Sequence, residues 1–280
     1  MNDKLIFKIT LPYLSVMLAV SELYIYPVKS LGGISLPAAS LTDRGFEYDR
    51  RWMLVDENNR FLSQREVPLM ACLHVALHNG RLVVRNIHKP DLFYQIPLQP
   101  LTTETTTVTV WDDECRAQWV SAEADAWFSE QLDLSCRLVY MPDGSHRPVD
   151  VNYAHNKEIT SFSDGYPLLM IGQASLDDLN SRLSSPLPMN RFRPNIVFTG
   201  GLPFQEDELK QFSIGDIRFM GVKLCARCVM TTIDQQTAVK AKEPLKTLST
   251  YRMKENKIHF GQNLLYHGSG TIRVGDAITI

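Results

Sequence analysis

The chain has 280 residues, of which 44% are hydrophobic and 21% are charged, so it is long enough for one large globular domain or two ordinary ones. Its 29 lysines and arginines nearly balance its 31 acidic residues, for a formal net charge of -2. This balance gives no overall electrostatic reason to expect nucleic acid or an anionic membrane as a partner. The five cysteines lack the spacing of a disulfide framework, which favours a reducing, cytoplasmic setting.

The N-terminal segment contains an apolar run, Leu11–Val20, that resembles a weak export signal or membrane anchor. Pro12 and Ser15 interrupt this run, and it lacks a convincing small-residue cleavage site, so we predict neither export nor anchoring. Met17 opens the sequence Met-Leu-Ala-Val-Ser. We therefore hypothesise that Met17 is the native start and that residues 1–16 are an upstream extension, which the mass of the native N-terminal peptide would test.

The first predicted strand, Leu23–Tyr26, leads into a turn at Lys29–Gly33. This turn brings a lysine, a hydroxyl and backbone amides to one point, which suits a phosphate, although an ordinary turn has the same composition. Asp49 and Arg50 then precede the predicted strand Trp52–Val55. The guanidinium of Arg50 offers a planar fork for a phosphate, and its alternative is a surface ion pair with a nearby carboxylate.

The next part of the chain is rich in β-forming residues. Residues 69–120 contain β-branched and alternating runs between turn signals, which predict a sheet. Ser121 is the predicted N-cap of a helix. The apolar stripe of this helix consists of Ala124, Trp127, Phe128 and Leu132. After the helix the chain changes character, and we predict two domains, 17–135 and 136–280.

The segment Ser161–Pro167 is a loop rich in hydroxyl groups, and Asp164 is its one carboxylate. We predict that Asp164 is an active-site acid or a positioning group, with capping of the turn as the alternative. Further on, Arg193 and Asn195 flank a proline at the entry to a strand. These two side chains fit an anion and the edge of a heterocycle, while surface pairing of the arginine is the alternative.

The most reactive segment contains Cys225 and Cys228 in a CxxC pair, with Arg227 between them. Thiolates are ligands for soft metals, and a neighbouring guanidinium favours the deprotonated sulfur. A structural zinc site requires about four ligands, usually from two such pairs, and the sequence has no second pair. A thioredoxin-like dithiol should open a helix, whereas Val229–Ile233 is predicted to continue as a strand. Two ordinary half-buried thiols remain the third alternative.

Six segments taken together resemble the MOSC family, which is named for the C-terminal domain of molybdenum cofactor sulfurase. They are Tyr26–Ser30, Asp49–Arg50, Ser163–Pro167, Phe192–Asn195, Cys225–Thr232 and Gly261–Asn263. The resemblance extends from Ser21 to Ile280 and includes the N-terminal partner domain. Within the family, the chain is most similar to bacterial N-hydroxylated-base-detoxifying proteins and to the mitochondrial amidoxime reducing component.

This resemblance implies a mainly β fold with α+β elements, in which a β-barrel-like MOSC domain packs on a β-barrel-like N-terminal domain. It also implies a molybdenum cofactor of the molybdopterin type in the cleft between them. The cysteine at the position of Cys228 is the implied metal ligand, and Asp164 is the second implied catalytic residue. The implied cofactor-binding residues are Lys29, Ser30, Arg50, Arg193, Asn195 and, as a neighbouring thiol, Cys225.

The implied activity is the reduction of N-hydroxylated compounds such as hydroxylamines, amidoximes and N-hydroxylated bases. The chain reaches Ile280 without the four-cysteine motif of an iron–sulfur domain. We therefore expect the electrons to come from a separate ferredoxin-like protein or flavoprotein. Two alternatives remain open, namely a cofactor carrier or sulfur-transfer module without turnover, and an interaction domain that has lost the metal.

Overall fold

The computed structural model describes residues 17–280; the proposed upstream extension, residues 1–16, lies outside them. The strands of the first half are β1 (Leu18–Ile25), β2 (Ile34–Leu36), β3 (Ala38–Leu41), β4 (Trp52–Val55), β5 (Leu73–His78), β6 (Arg81–Asn86), β7 (Lys89–Pro97), β8 (Thr105–Val110), β9 (Asp113–Trp119) and β10 (Arg137–Tyr140). Those of the second half are β11 (Arg147–Pro148), β12 (Ile159–Thr160), β13 (Leu168–Gly172), β14 (Ile196–Thr199), β15 (Gln211–Ile214), β16 (Ile217–Ala226), β17 (Met253–Lys254), β18 (Lys257–His267), β19 (Gly270–Arg273) and β20 (Ala277–Thr279). The helices are α1 (Ala122–Leu132), α2 (Gln173–Ser181) and α3 (Leu245–Ser249).

Seven strands form a closed barrel in the order β13, β14, β1, β20, β15, β16, β18, and β18 pairs back to β13. All pairs in this ring are antiparallel except β13 with β14. Closure leaves no free edge within the ring, and its inward side chains form a continuous apolar core. Representative members of this core are Val20, Leu23, Met170, Ile196, Phe219 and Leu264.

A second unit is built on a four-stranded sheet in the order β4, β10, β9, β8 and a three-stranded sheet of β5, β6 and β7. Helix α1 packs on this unit through Phe128 and Leu132, in a core that also contains Trp52. The N-cap predicted at Ser121 is confirmed, because the Ser121 hydroxyl accepts a hydrogen bond from the backbone N–H of Ala124 at 3.1 Å. The mainly β fold predicted from the sequence is therefore confirmed.

Strand pairing crosses the predicted domain boundary in both directions. Strand β1 lies in the barrel between β14 and β20, although it comes from the start of the chain. Strand β10 comes after the predicted boundary at residue 135, yet it pairs with β4 and β9, which come before it. The division into 17–135 and 136–280 stays a prediction, and the crossing strands bring residues of both halves to one place.

One local prediction is wrong: the residues after the CxxC pair do not continue as a strand. Val229–Thr232 forms a 3-10 helix that begins directly after Cys228. The hydroxyl of Thr231 donates to the carbonyl of Cys228 at 3.0 Å, and the hydroxyl of Thr232 donates to the carbonyl of Val229 at 2.7 Å. These local hydrogen bonds compete with a strand ladder and turn the chain.

Strand β7 lies at the edge of its sheet, where a proline and exposed polar residues are tolerated. Within residues 17–280, none of the helices combines the length and the apolar character needed to span a membrane.

Candidate functional site

All eight residues predicted to form the site line one cavity, of about 120 Å³. The turn after β1 contributes Lys29 and Ser30, and the turn before β4 contributes Arg50. The second half contributes Asp164, Arg193, Asn195, Cys225 and Cys228. The fold brings these residues together from both halves of the chain, while the role of each one stays a prediction.

Three of these residues have backbone conformations that residues other than glycine rarely adopt. Ser30, Arg50 and Arg193 have φ angles of 67°, 50° and 54°. Each such residue in the left-handed region costs on the order of 1 kcal/mol, and such costs concentrate at functional sites. The fold therefore holds the backbone of these three residues in a locally unfavourable conformation, which directs their side chains to the cavity.

Two guanidinium groups of the site lie on one aromatic ring. The guanidinium carbons of Arg50 and Arg193 are 4.4 Å and 4.2 Å from the ring centroid of Tyr26, which is cation–π distance. The buried carboxylate of Asp49 holds Arg50 at 2.5 Å and also accepts a hydrogen bond from the backbone of Tyr26. Burial lowers the pKa of Arg193 to about 10, with the nearby charge of Arg50 contributing in the same direction against the opposing effect of Tyr26.

The amide of Asn195 is engaged within the protein. Its oxygen accepts hydrogen bonds from Arg50 at 3.0 Å and from the backbone of Leu169 at 3.2 Å, and its nitrogen donates to the carbonyl of Tyr24 at 3.1 Å. Asn195 therefore positions Arg50 at the cavity wall. The prediction that this amide binds the edge of a heterocycle stays a prediction.

Lys29 is buried and forms an ion pair with Asp164, at 2.6 Å between Nζ and Oδ1. Its ammonium group also donates to the carbonyl of Phe162 at 2.8 Å. Burial lowers the pKa of Lys29 to about 8, even though the charge of Asp164 opposes this shift. Desolvation alone would raise the pKa of Asp164, but the charge and hydrogen bond of Lys29 outweigh it and lower that pKa below the usual range.

The loop that carries Asp164 is held by a buried arginine. The guanidinium of Arg147 donates to the carbonyls of Ser161, Ser163 and Asp164 at 3.0, 2.5 and 3.1 Å, and it forms an ion pair with Asp113. Arg147 is therefore a structural cation that fixes the backbone of the Asp164 loop.

The two cysteines lie at the end of β16 and have different surroundings. Arg227 donates to Sγ of Cys225 at 2.9 Å and to the carbonyl of Phe192 at 2.5 Å. Cys228 is exposed, and its Sγ lies 3.9 Å from a guanidinium nitrogen of Arg65. Of the two sulfurs, Cys228 is therefore the more accessible to a ligand, and Cys225 is engaged by the intervening arginine.

The cavity has a strong excess of positive charge. Among the described residues that line it are five cationic side chains and one carboxylate, namely Lys29, Arg50, Arg191, Arg193, Arg227 and Asp164. The buried hydroxyl of Ser30 has no hydrogen-bond partner within residues 17–280. A buried polar group without a partner costs free energy that a ligand atom can recover. The cavity thus has the features of a site for an anion.

These residues fit a molybdopterin-type cofactor. The unpartnered Ser30 hydroxyl and the excess of guanidinium and ammonium groups match a phosphate, and the accessible sulfur of Cys228 matches a soft metal. In the described part of the chain, His, Cys, Asp and Glu side chains form no group of three or more suited to a metal ion.

Several contributors to the site were not identified from the sequence. Asp49 and Tyr26 act through their contacts with Arg50 and Arg193, while Arg191 pairs with Asp234 at 2.8 Å. The position of Asp49 next to Arg50 in the sequence could have indicated their ion pair. The roles of Tyr26 and Arg191 depend on contacts between distant parts of the chain.

Comparisons with known proteins agree with the predicted resemblance. The model of the MOSC domain matches residues 157–279, and the model of the MOSC N-terminal beta barrel domain matches residues 17–135. Mitochondrial amidoxime-reducing component 1 of Mus musculus is 33% identical over 92% of this chain and 81% of its own length, and that of Homo sapiens is 32% identical over 92% and 82%. Molybdenum cofactor sulfurase of Oryza sativa subsp. japonica is 32% identical over 89% of this chain, which spans 33% of the sulfurase.

Proposed function

The chain belongs to the MOSC family, and on this premise we propose that it is a molybdenum-cofactor-dependent oxidoreductase that reduces N-hydroxylated compounds. The observation that carries the proposal is the convergence of an accessible cysteine, Cys228, with a cationic cavity that contains the unpartnered hydroxyl of Ser30. The similarity to amidoxime-reducing components supports the same reaction class.

When bound, the cofactor would supply the two-electron redox chemistry. Sγ of Cys228 would be the protein ligand of the molybdenum, and Lys29, Ser30, Arg50 and Arg193 would hold the pterin phosphate. Cys225, held by its contact with Arg227, would be a neighbouring thiol that does not bind the metal. The walls of the cavity thus provide one soft ligand and a fixed set of cations.

Reduction of a hydroxylamine or amidoxime consumes two electrons and two protons for each N–O bond that breaks, and it releases one water. Lys29, with a pKa of about 8, is charged at neutral pH and so suits a phosphate, and the lowered pKa of Asp164 keeps its carboxylate ionised. Asp164 therefore acts by holding Lys29 in place and by stabilising its charge. The electrons would come from a separate ferredoxin-like protein or flavoprotein.

A second candidate is a cofactor carrier or sulfur-transfer module without turnover. It is favoured by the 32% identity to a molybdenum cofactor sulfurase, of which this chain spans 33%. Both candidates require the same bound cofactor, so only a test of turnover separates them.

The test uses protein purified from a host that makes the cofactor. We expect near-stoichiometric molybdenum and pterin in the wild type, and loss of molybdenum in Cys228→Ala. We also expect the wild type to convert benzamidoxime to benzamidine with reduced methyl viologen. Cofactor without turnover supports the carrier, and a folded wild type without molybdenum or pterin overturns both candidates.

A further inference from the structure

Arg65 is not among the residues that line the cavity, but its side chain lies close to the exposed Cys228. Its guanidinium nitrogen lies 3.9 Å from Sγ of Cys228, and its guanidinium carbon lies 4.3 Å from the ring centroid of Trp111. The ion pairs found among residues 17–280 do not include Arg65. The positive charge of Arg65 beside the exposed sulfur therefore has no carboxylate within ion-pair distance among the described residues, although it acts on the carboxylate of Asp164 over a longer range.

Trp111 connects Arg65 with the ion pair of the site. The indole N–H of Trp111 donates to Oδ1 of Asp164 at 3.2 Å, and its ring packs against Phe61 with 5.2 Å between the centroids. Trp111 is nevertheless 43% exposed. Stacking on this fixed ring limits the rotamers of Arg65, so its free N–H groups are held in place for a ligand.

The site opens into a wide groove of about 1340 Å³ whose lining includes Trp111, Asp164 and Cys225. This groove carries charges of both signs, such as the ammonium groups of Lys223 and Lys257 and the carboxylates of Asp112 and Asp150. The groove as a whole does not select for the charge of a substrate. Arg65 is different, because its guanidinium lies next to Cys228 and forms no direct ion pair with a carboxylate among the described residues.

We propose that Arg65, stacked on Trp111, is a specificity-determining residue that binds an oxyanion substituent of the substrate, such as a carboxylate or a phosphonate. The inference rests on the proposed function. It deepens that function by naming the substrate class, namely N-hydroxylated compounds that carry an oxyanion. A guanidinium binds carboxylate and phosphate groups in a planar, two-pronged geometry, so both oxyanions fit.

The test compares benzamidoxime with 4-carboxybenzamidoxime and 4-phosphonobenzamidoxime in the cofactor-loaded protein. The variants are Arg65→Gln, Arg65→Lys and the control Arg85→Gln. Arg85 is an exposed arginine stacked on Phe93 at 5.3 Å, so its substitution makes the same charge change at the same kind of contact far from the cavity lining. The readouts are molybdenum content, the ratio of kcat/KM between charged and neutral substrates, and calorimetric affinity for all three compounds.

We expect Arg65→Gln to keep its molybdenum and to lose about ten-fold in the preference for an oxyanion, mostly through KM, which is the scale of one charge-assisted hydrogen bond. Arg65→Lys should keep part of the preference, and Arg85→Gln should keep all of it. A comparison of the two charged compounds shows which oxyanion the site prefers.

An unchanged preference in a folded Arg65→Gln overturns the proposal, because Arg65 then only packs on Trp111. Loss of molybdenum in both Arg65 variants also overturns it, since Arg65 would then hold the cofactor. If the wild type reduces none of the three compounds, the proposed function fails, and the calorimetric ratio still decides the role of Arg65.

Discussion

Nζ of Lys29 lies 2.6 Å from Oδ1 of Asp164, across a separation of 135 residues. Lys29 follows the barrel strand β1, and Asp164 lies in the loop before β13. The pair is buried on the side of the lysine, while the side chain of Asp164 is 63% exposed. The ion pair thus joins a buried cation of the cavity to a carboxylate that is exposed to solvent.

Asp164→Asn should shift the pH dependence of anion binding to lower pH. Lys29 binds an anion best when it is protonated, so affinity for pyrophosphate in cofactor-free protein should fall as the pH rises through about 8. The charge of Asp164 raises the pKa of Lys29, and its removal therefore moves this midpoint below 8. Calorimetric titration with pyrophosphate between about pH 6 and 9 measures both midpoints.

The matched control is Asp143→Asn, which removes an exposed carboxylate that pairs with Arg51 instead. Its midpoint should equal that of the wild type. A midpoint in Asp164→Asn that equals or exceeds the wild-type value contradicts this account of Lys29.

Gly33→Ala should destabilise the protein and disturb the arginine pair. A Cβ atom at Gly33 would lie 2.4 Å from Cε1 of Tyr26, so the ring must move. The ring carries the guanidinium groups of Arg50 and Arg193. We expect a loss of about 1 to 3 kcal/mol in the free energy of unfolding, typical of overpacking, together with reduced molybdenum content.

Denaturant unfolding and metal analysis measure the two effects. Gly144→Ala is the control, because a Cβ atom there has no neighbour within 4 Å. Equal stability of the two variants would show that Tyr26 moves at no cost.

Arg147→Met should loosen the loop that carries Asp164. The substitution removes the donor to the carbonyls of Ser161, Ser163 and Asp164. Loss of a buried, hydrogen-bonded charge costs about 3 kcal/mol or more. Hydrogen exchange over residues 159–166 should become faster. The rate of benzamidoxime reduction should fall by more than the loss of folded protein accounts for.

Asp113→Asn separates the ion pair from the carbonyl contacts. Because the side chain of Asp113 is half exposed, its removal should cost about 1 kcal/mol or less. If both variants accelerate exchange equally, the ion pair and not the carbonyl contacts holds the loop.

Glu206 should make the stability of the protein fall as the pH rises from about 4.5 to 7. Burial raises the pKa of Glu206 to about 7, although the hydroxyl of Ser175 donates to its carboxylate at 2.7 Å. Between these pH values the folded protein keeps a proton that the unfolded chain releases, so the free energy of unfolding decreases with pH. A pKa shift of this size corresponds to about 3 kcal/mol.

Glu206→Gln cannot titrate, so its difference from the wild type isolates this effect. Urea unfolding at several pH values should give a wild-type curve that declines relative to the variant. Glu208→Gln, at an exposed neighbouring position, should follow the wild type. Parallel curves for the wild type and Glu206→Gln would contradict the raised pKa.

The sequence by itself predicted the features that depend on nearby residues. It identified the strand Trp52–Val55 and the cap at Ser121, because local propensity and hydrogen bonding within a few residues determine them. The mainly β fold of the whole chain was implied by the family resemblance. It also predicted Cys225 and Cys228 as the reactive pair, since thiol chemistry belongs to the side chain itself. The eight candidate residues were singled out by their own chemistry, the resemblance joined them into one site, and they do line one cavity.

Only the tertiary structure decided how those side chains act on one another. Tyr26 donates a hydrogen bond to the carbonyl of Pro194 across 168 residues, and it carries two arginines that sequence patterns treat separately. Likewise, the turn after Cys228 replaces the predicted strand because the threonine hydroxyls bond to the preceding carbonyls. The burial of Lys29 beside Asp164 and the position of Arg65 over Trp111 arise where two distant segments meet, so no local pattern encodes their distances or pKa values.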